Sequence, residues 1–142
     1  MSAYADTSFL ISLYTLDANS ARAAAAMKDI HDPLLLTAFG ELELMNTLEL
    51  RVFRREMKAS QREAARSAFR EDLEAGIYSI RPLITATFQM AHKIARSHTA
   101  KIGARTLDIL HVASALVLEA SRFYSFDKRQ ADLASNAGLK VR

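Results

Sequence analysis

Three aspartates stand where the chain could gather charge at the end of apolar elements. Asp6 follows the short strand pattern of residues 2–5, and Asp127 follows the strand pattern Arg122-Phe-Tyr-Ser-Phe. Asp108 lies in the first turn of a helix pattern in which Ile109, Val112, Ala113, Leu116 and Val117 make one apolar face. Ligands of an open α/β sheet collect at the carboxyl ends of parallel strands, so Asp6 and Asp127 are expected at one rim. Carboxylates held close together raise one another's pKa, and a divalent cation relieves that cost. Oxygen-only ligation suits Mg²⁺ or Mn²⁺, and such an ion makes in-line attack of water on a phosphodiester feasible. Each aspartate also has an ordinary structural use. Asp is a common helix N-cap, and an acid in the first turn is favoured by the helix dipole. The sequence offers no rival chemistry: there is no cysteine, no Gly-rich phosphate loop and no His/Cys zinc spacing.

The elements that must position these acids alternate along the chain. Residues 2–5 form a first strand, and a short helix runs from Phe9 to Tyr14 with Thr7 or Ser8 as its cap. A turn at Asp17-Ala-Asn-Ser precedes a helix capped by Ser20, which Asp32-Pro33 ends. Residues 34–36 are a buried strand, and residues 39–55 a long, largely apolar helix. Ser60-Gln-Arg-Glu63 has capping-box form and opens a charged helix that Gly76 ends. The two helices between 39 and 75 are expected to form a hairpin arm. A third strand spans 77–80, a helix 85–101, and Gly103 breaks the chain before the segment that carries Asp108. A helix over 128–136 and a last strand over 139–141 complete the pattern. Alternation of this kind predicts one α/β domain over residues 1–142, with a central parallel sheet of four to five strands between helices.

Composition sets outer bounds. The chain has 142 residues, enough for one domain with a real core. Its net charge is +3, and 13 of its 19 cations are arginine, whose planar fork suits phosphate. The absence of cysteine fits a reducing cytoplasm. No run approaches the roughly 18 apolar residues of a membrane span, and no signal-peptide pattern opens the chain.

Four segments together carry a family resemblance. Tyr4-Ala-Asp6-Thr-Ser8, Glu43-Leu-Met-Asn46-Thr-Leu48, Arg105-Thr-Leu-Asp108-Ile-Leu-His111-Val-Ala and Ser125-Phe-Asp127-Lys-Arg-Gln resemble, in order, the conserved blocks of PIN-domain ribonucleases. The likeness runs from Ala3 to about Val141 and is greatest to the toxins of VapBC-type toxin–antitoxin pairs. It implies a PIN-like three-layer sandwich and an Mg²⁺- or Mn²⁺-dependent endoribonuclease. Asp6, Asp108 and Asp127 would then hold the metal, with Glu43 beside them in the catalytic set. Glu41 is the rival of Glu43. At about 100° per residue the two point apart, and Glu43 shares the more polar side with Asn46 and Thr47. The resemblance selects Glu43 as well.

The resemblance gives Ser8, Asn46 and Ser125 supporting parts, although Thr7 could serve in place of Ser8 and Asn46 could be satisfied within its helix. Arg105, Lys128 and Arg129 flank the expected rim and are candidates for RNA phosphates, or else solvated helix-end charges. His111, one turn from Asp108, reads as a core histidine. An RNA substrate, a neutralising antitoxin protein and a homodimer are further implications of the resemblance. The apolar stretch Phe9, Leu10, Leu13 and Tyr14, with residues 39–52, exceeds what one sheet face needs to be covered, so part of it is expected to form a self-complementary patch. Two other classes compete. One is a PIN-like module that binds RNA or protein without cutting it; the presence of all four acids weighs against it. The other is a receiver-type phosphate-binding domain, which usually has adjacent acids after its first strand, where this chain has only Asp6.

Overall fold

The computed structural model describes residues 2–142. Five short strands, β1 (Ala3–Ala5), β2 (Leu34–Thr37), β3 (Tyr78–Arg81), β4 (Arg122–Tyr124) and β5 (Lys140–Val141), form one parallel sheet in the order β3-β2-β1-β4-β5. The chain builds outward from β1 to β3, then returns to the other side of β1 for β4 and β5. The direction of winding therefore reverses between β1 and β4. In open α/β sheets a reversal of this kind is where ligands bind, at the carboxyl ends of the two strands.

Strand alternation sends side chains to two cores. Ala3, Ala5, Leu34, Leu36 and Tyr124 face α1 (Thr7–Tyr14), α2 (Ser20–Lys28), α3 (Ala38–Phe53) and α4 (Ala59–Glu74). Tyr4, Leu35 and Phe123 face the other way, against α5 (Thr85–Ile94), α7 (Thr106–Val117) and α8 (Lys128–Asn136). Burial on both faces explains why the strands read as continuous apolar runs.

Several local expectations need correction. The first helix begins at Thr7, and its cap is Asp6, whose side chain accepts from the Phe9 amide. Asn19 precedes α2, with Ser20 its first helical residue. Helix α4 starts at Ala59, and Gln61 Oε1 closes back on the Lys58 amide at 2.8 Å, so the capping bond lies upstream of the Ser60–Glu63 pair. The expected helix over 85–101 is interrupted. A π-helical turn (Ala95–Thr99) separates α5 from α6 (Ala100–Ile102), and Gly103 then turns the chain at φ 74°. Helices α3 and α4 do form a hairpin, with Ala65 and Phe69 of α4 buried in the core. Phe9 and Leu10 are fully buried too, so they cannot contribute to a self-complementary surface. The exposed large apolar side chains instead include Leu42, Phe53, Ile84, Phe88 and Leu107.

Candidate active site

All three aspartates hold the start of a helix. Asp6 Oδ1 accepts from the Phe9 amide at 3.0 Å, and Asp127 Oδ1 accepts from the Gln130 amide at 3.1 Å. Asp108 Oδ2 accepts from the Arg105 amide at 3.3 Å, one turn back. The helices they begin, α1, α8 and α7, therefore present N-terminal ends whose partial positive charge offsets carboxylate charge. Capping and a functional role are compatible here because a cap uses one oxygen. Asp6 Oδ2 is buried and has no hydrogen-bond partner among the described residues.

The first and fourth strands are tied together at this rim. The Asp6 amide donates to Tyr124 O at 3.1 Å, and the Ser8 hydroxyl donates to Asp6 Oδ1 at 2.6 Å. Ser8 Oγ also accepts from the Phe126 amide at 2.9 Å, and Ser125 Oγ accepts from the Asp127 amide at 3.0 Å. The two hydroxyls lie 3.3 Å apart. Ser8 and Ser125 thus fix the ends of β1 and β4 relative to one another. Burial pushes the Asp6 carboxyl above the ordinary aspartate range, against the opposing pull of the His111 ring and the Ser125 and Ser8 hydroxyls.

Glu43 belongs to a second polar chain. His111 Nε2 lies 2.5 Å from Glu43 Oε1, and His111 Nδ1 lies 2.7 Å from the Tyr4 hydroxyl. The imidazole therefore bridges the buried Tyr4 hydroxyl and the Glu43 carboxylate. The Thr7 hydroxyl donates to the same Oε1 at 2.7 Å. Both bonds fall on Oε1, which leaves Oε2 free of protein hydrogen bonds among the described residues. Gly40 makes room for this arrangement: a Cβ there would come 3.1 Å from Thr37 Oγ1 and 3.4 Å from His111 Cε1. Burial raises the Glu43 pKa, but the His111 bond and charge, with Thr7 and Arg105, outweigh it, and the carboxyl sits below the ordinary glutamate range.

This shift has a definite pH signature. A carboxyl with a lowered folded pKa contributes stability that is present above its unfolded pKa and is lost as pH falls through the folded value. Wild type should therefore be more stable than Glu43→Gln at neutral pH, and the difference should shrink in acid below the ordinary glutamate range. Denaturant unfolding of both proteins across pH 3–7 checks this. A difference that does not depend on pH would remove the His111–Glu43 contact as its cause.

Glu41 faces elsewhere, lining a small cavity with Met45, Arg66 and Phe69. Asn46 is exposed and makes no side-chain hydrogen bond among the described residues, so it orients no carboxylate here. Arg105, Lys128 and Arg129 line an open cleft of about 500 Å³ together with Asp127 and Asp132. Two of these cations have acidic neighbours. Arg105 Nε is 3.4 Å from Asp108 Oδ2, and Lys128 Nζ is 3.2 Å from Asp132 Oδ2. The acid set is thus not free of compensating cations, contrary to the simple picture of clustered carboxylates alone. A concavity of about 650 Å³ lies elsewhere, at the amino ends of β2 and β3, with Leu13, Met27, Ile30 and Ile77 among its lining residues. Its mostly apolar walls lack the chemistry gathered at the rim.

The donor chemistry suits a hard divalent cation. The available ligands are carboxylate and hydroxyl oxygens, and the unpartnered Asp6 Oδ2 is a buried acceptor of the right kind. Among the described residues, no three His, Asp or Glu side chains are already drawn together into a metal cage. His111, Tyr4 and Thr7 are the members of this region that the sequence pattern undervalued. The one available signal for His111 was its position one turn from Asp108. Its contact with Glu43 spans 68 residues of sequence and leaves no local trace.

The fold is an α/β protein in which Asp6 and Asp127 directly follow the neighbouring strands β1 and β4, where the strand order reverses. The PIN domain family profile matches residues 3–136, and the chain belongs to that family. Its structure is similar to that of Mycobacterium tuberculosis VapC20, described as a sarcin–ricin loop cleaving toxin. The two share 19% identity and a TM-score of 0.71, over 96% of this chain and 95% of the other. A comparable likeness exists to FitAcB from Neisseria gonorrhoeae, with 18% identity and a TM-score of 0.69, over 98% of this chain and 95% of that one. At these identities the likeness establishes the fold. No significant sequence relative is found among curated proteins.

Proposed function

We propose that the chain is a metal-dependent endoribonuclease, the toxin of a type II toxin–antitoxin pair. The observation that supports the reading is that Asp6 and Asp127 follow adjacent strands tied together through Ser8 and Ser125, with a buried Asp6 oxygen that has no hydrogen-bond partner among the described residues. Membership of the PIN family supports nuclease chemistry, and the described activity of VapC20 supports RNA as the substrate class.

Asp6, Asp108 and Asp127 would hold Mg²⁺ or Mn²⁺. When bound, the ion supplies Lewis-acid polarisation of phosphate and a lowered pKa for water. The protein's own groups do the rest. Ser8 and Ser125 hold the strand ends that carry Asp6 and Asp127. Glu43, held below the ordinary glutamate range by His111 and Thr7, would take a proton from attacking water through Oε2, which neither of those bonds occupies. Arg105, Lys128 and Arg129 bind phosphate oxygens along the open cleft. Arg105, whose side chain is 68% exposed, can swing from Asp108 to a phosphate as the substrate enters.

The same reading assigns a cytoplasmic setting and a protein antitoxin that blocks the acid rim. Among the described residues, no helix is long and apolar enough to cross a membrane. Homodimerisation through the exposed apolar residues Leu42, Ile84, Phe88 and Leu107 completes the assignment.

One observation favours a second reading, a PIN-like module that binds RNA or protein without cutting: no three-ligand metal cage is preformed. Mn²⁺ separates the two. A cation that binds the folded state stabilises it by about 2.7 kcal/mol at a hundredfold excess over its dissociation constant, roughly a 10 °C rise in Tm for a chain of this size. Thermal unfolding with and without Mn²⁺ should show such a rise. An unchanged Tm up to millimolar Mn²⁺ would favour the binding module.

A further inference from the structure

A second charged groove opens on the other side of the rim, and nothing in the reading above uses it. It has a volume of about 320 Å³ and is walled by α2, β4 and the residues that follow β4 and β5. Three arginines line it, Arg22, Arg122 and Arg142, with Phe9, Tyr124 and Phe126 beneath them and Asp29 as its only acid. The Arg22 guanidinium lies 5.2 Å from the centre of the Phe126 ring, and that of Arg122 lies 5.8 Å from the centre of the Tyr124 ring. Stacking on rings fixes the guanidinium planes but consumes none of their N–H donors. Arg122 Nε is buried and has no hydrogen-bond partner among the described residues, although the guanidinium's charge is felt by Asp32. Buried donors are normally satisfied, so this one points to an acceptor that the protein does not supply.

The groove's position names the acceptor. Phe126 is the residue before Asp127, and Phe9 follows Ser8, so the upper wall of the groove is continuous with the acid rim. Arg122 lies five residues before Asp127 along β4, about 16 Å at roughly 3.3 Å per residue. An extended polyanion leaving the acids would run directly over these arginines.

We propose that Arg22, Arg122 and Arg142 form a phosphate-binding track for the single-stranded RNA flanking the cleaved bond. The inference rests on the ribonuclease reading and extends it. The aromatic rings hold the Arg22 and Arg122 guanidinium groups extended, so little side-chain freedom is lost when these two bind phosphate. Asp29 limits the track's charge and keeps the contact electrostatic rather than tight.

Binding of a fluorescent single-stranded RNA pool, measured by anisotropy in EDTA to hold cleavage off, tests this. Arg22→Ala and Arg122→Gln should each weaken binding about 5- to 10-fold, and each should reduce the salt slope of the affinity by about 0.7, the value for one phosphate contact on a single strand. Arg70→Ala, on an exposed face of α4, should change neither. The circular dichroism spectrum and Tm of each variant exclude misfolding as the cause. Wild-type affinity and slope in both groove variants, or an equal loss in Arg70→Ala, would overturn the track while leaving the ribonuclease reading standing. Failure of the wild type to bind any RNA would overturn both.

Discussion

Asp6→Asn is expected to abolish RNA cleavage and at the same time to stabilise the metal-free protein. The two effects have one cause. Asp6 is fully buried, and burial pushes its pKa up, so its ionised form is a cost to the fold at neutral pH. A group with a raised folded pKa contributes stability below its unfolded pKa and loses it as pH rises through the folded value. Asparagine keeps the cap on the Phe9 amide and removes the charge, so the metal-free variant should melt above wild type near pH 7. The same change takes away the unpartnered acceptor on which cation binding depends, and cleavage should fall by about 10³-fold or more. Stabilisation of the wild type by Mn²⁺ should also disappear in the variant. A variant that is less stable without metal, yet still stabilised by Mn²⁺, would show that Asp6 is only a cap.

Asp108→Asn should lose activity to a similar degree but without the gain in stability. Its carboxylate is already compensated by the Arg105 amide and by the guanidinium 3.4 Å away. An ion pair with a partner as exposed as Arg105 is worth less than about 1 kcal/mol, and asparagine retains an acceptor for the Arg105 amide. The Tm should therefore move by no more than about 3 °C in either direction while cleavage falls by about 10²- to 10³-fold. Single-turnover rates on one RNA and parallel melting curves measure both quantities. Retention of near wild-type activity would remove Asp108 from the reacting centre and leave it as the capping residue of α7.

These contrasts show which parts of the molecule were readable from sequence. The strands were legible because both faces of the sheet are covered, so Leu34–Leu36 and Arg122–Phe126 appear as apolar runs bounded by turns. The order of the strands was not legible, because alternation of elements does not say on which side of β1 the chain returns. Local detail was harder to read. Asp6-Thr-Ser8 offers three side chains able to cap a helix, and which one does so depends on where β1 stops pairing with β4. The π turn at Ala95–Thr99 lies within a sequence that reads as continuous helix and carries no Gly or Pro to mark the change. His111 looked like an apolar-face histidine. Its polar partners, Tyr4 and Glu43, come from β1 and α3, and only the folded chain brings them to the ring. Asn46 erred in the opposite direction: its spacing from Glu43 suggested a shared role, yet it lies exposed on α3.

The most direct test of the central claim is the chemistry of the cut ends. If the acid rim activates water, the neighbouring 2′-hydroxyl takes no part, and purified protein acting on a mixed RNA pool with Mg²⁺ or Mn²⁺ should release fragments with 5′-phosphate and 3′-hydroxyl ends. EDTA should stop the reaction, and added Mg²⁺ or Mn²⁺ should restore it. Fragments ending in 2′,3′-cyclic phosphate, or cleavage that persists at full rate in EDTA, would contradict the account.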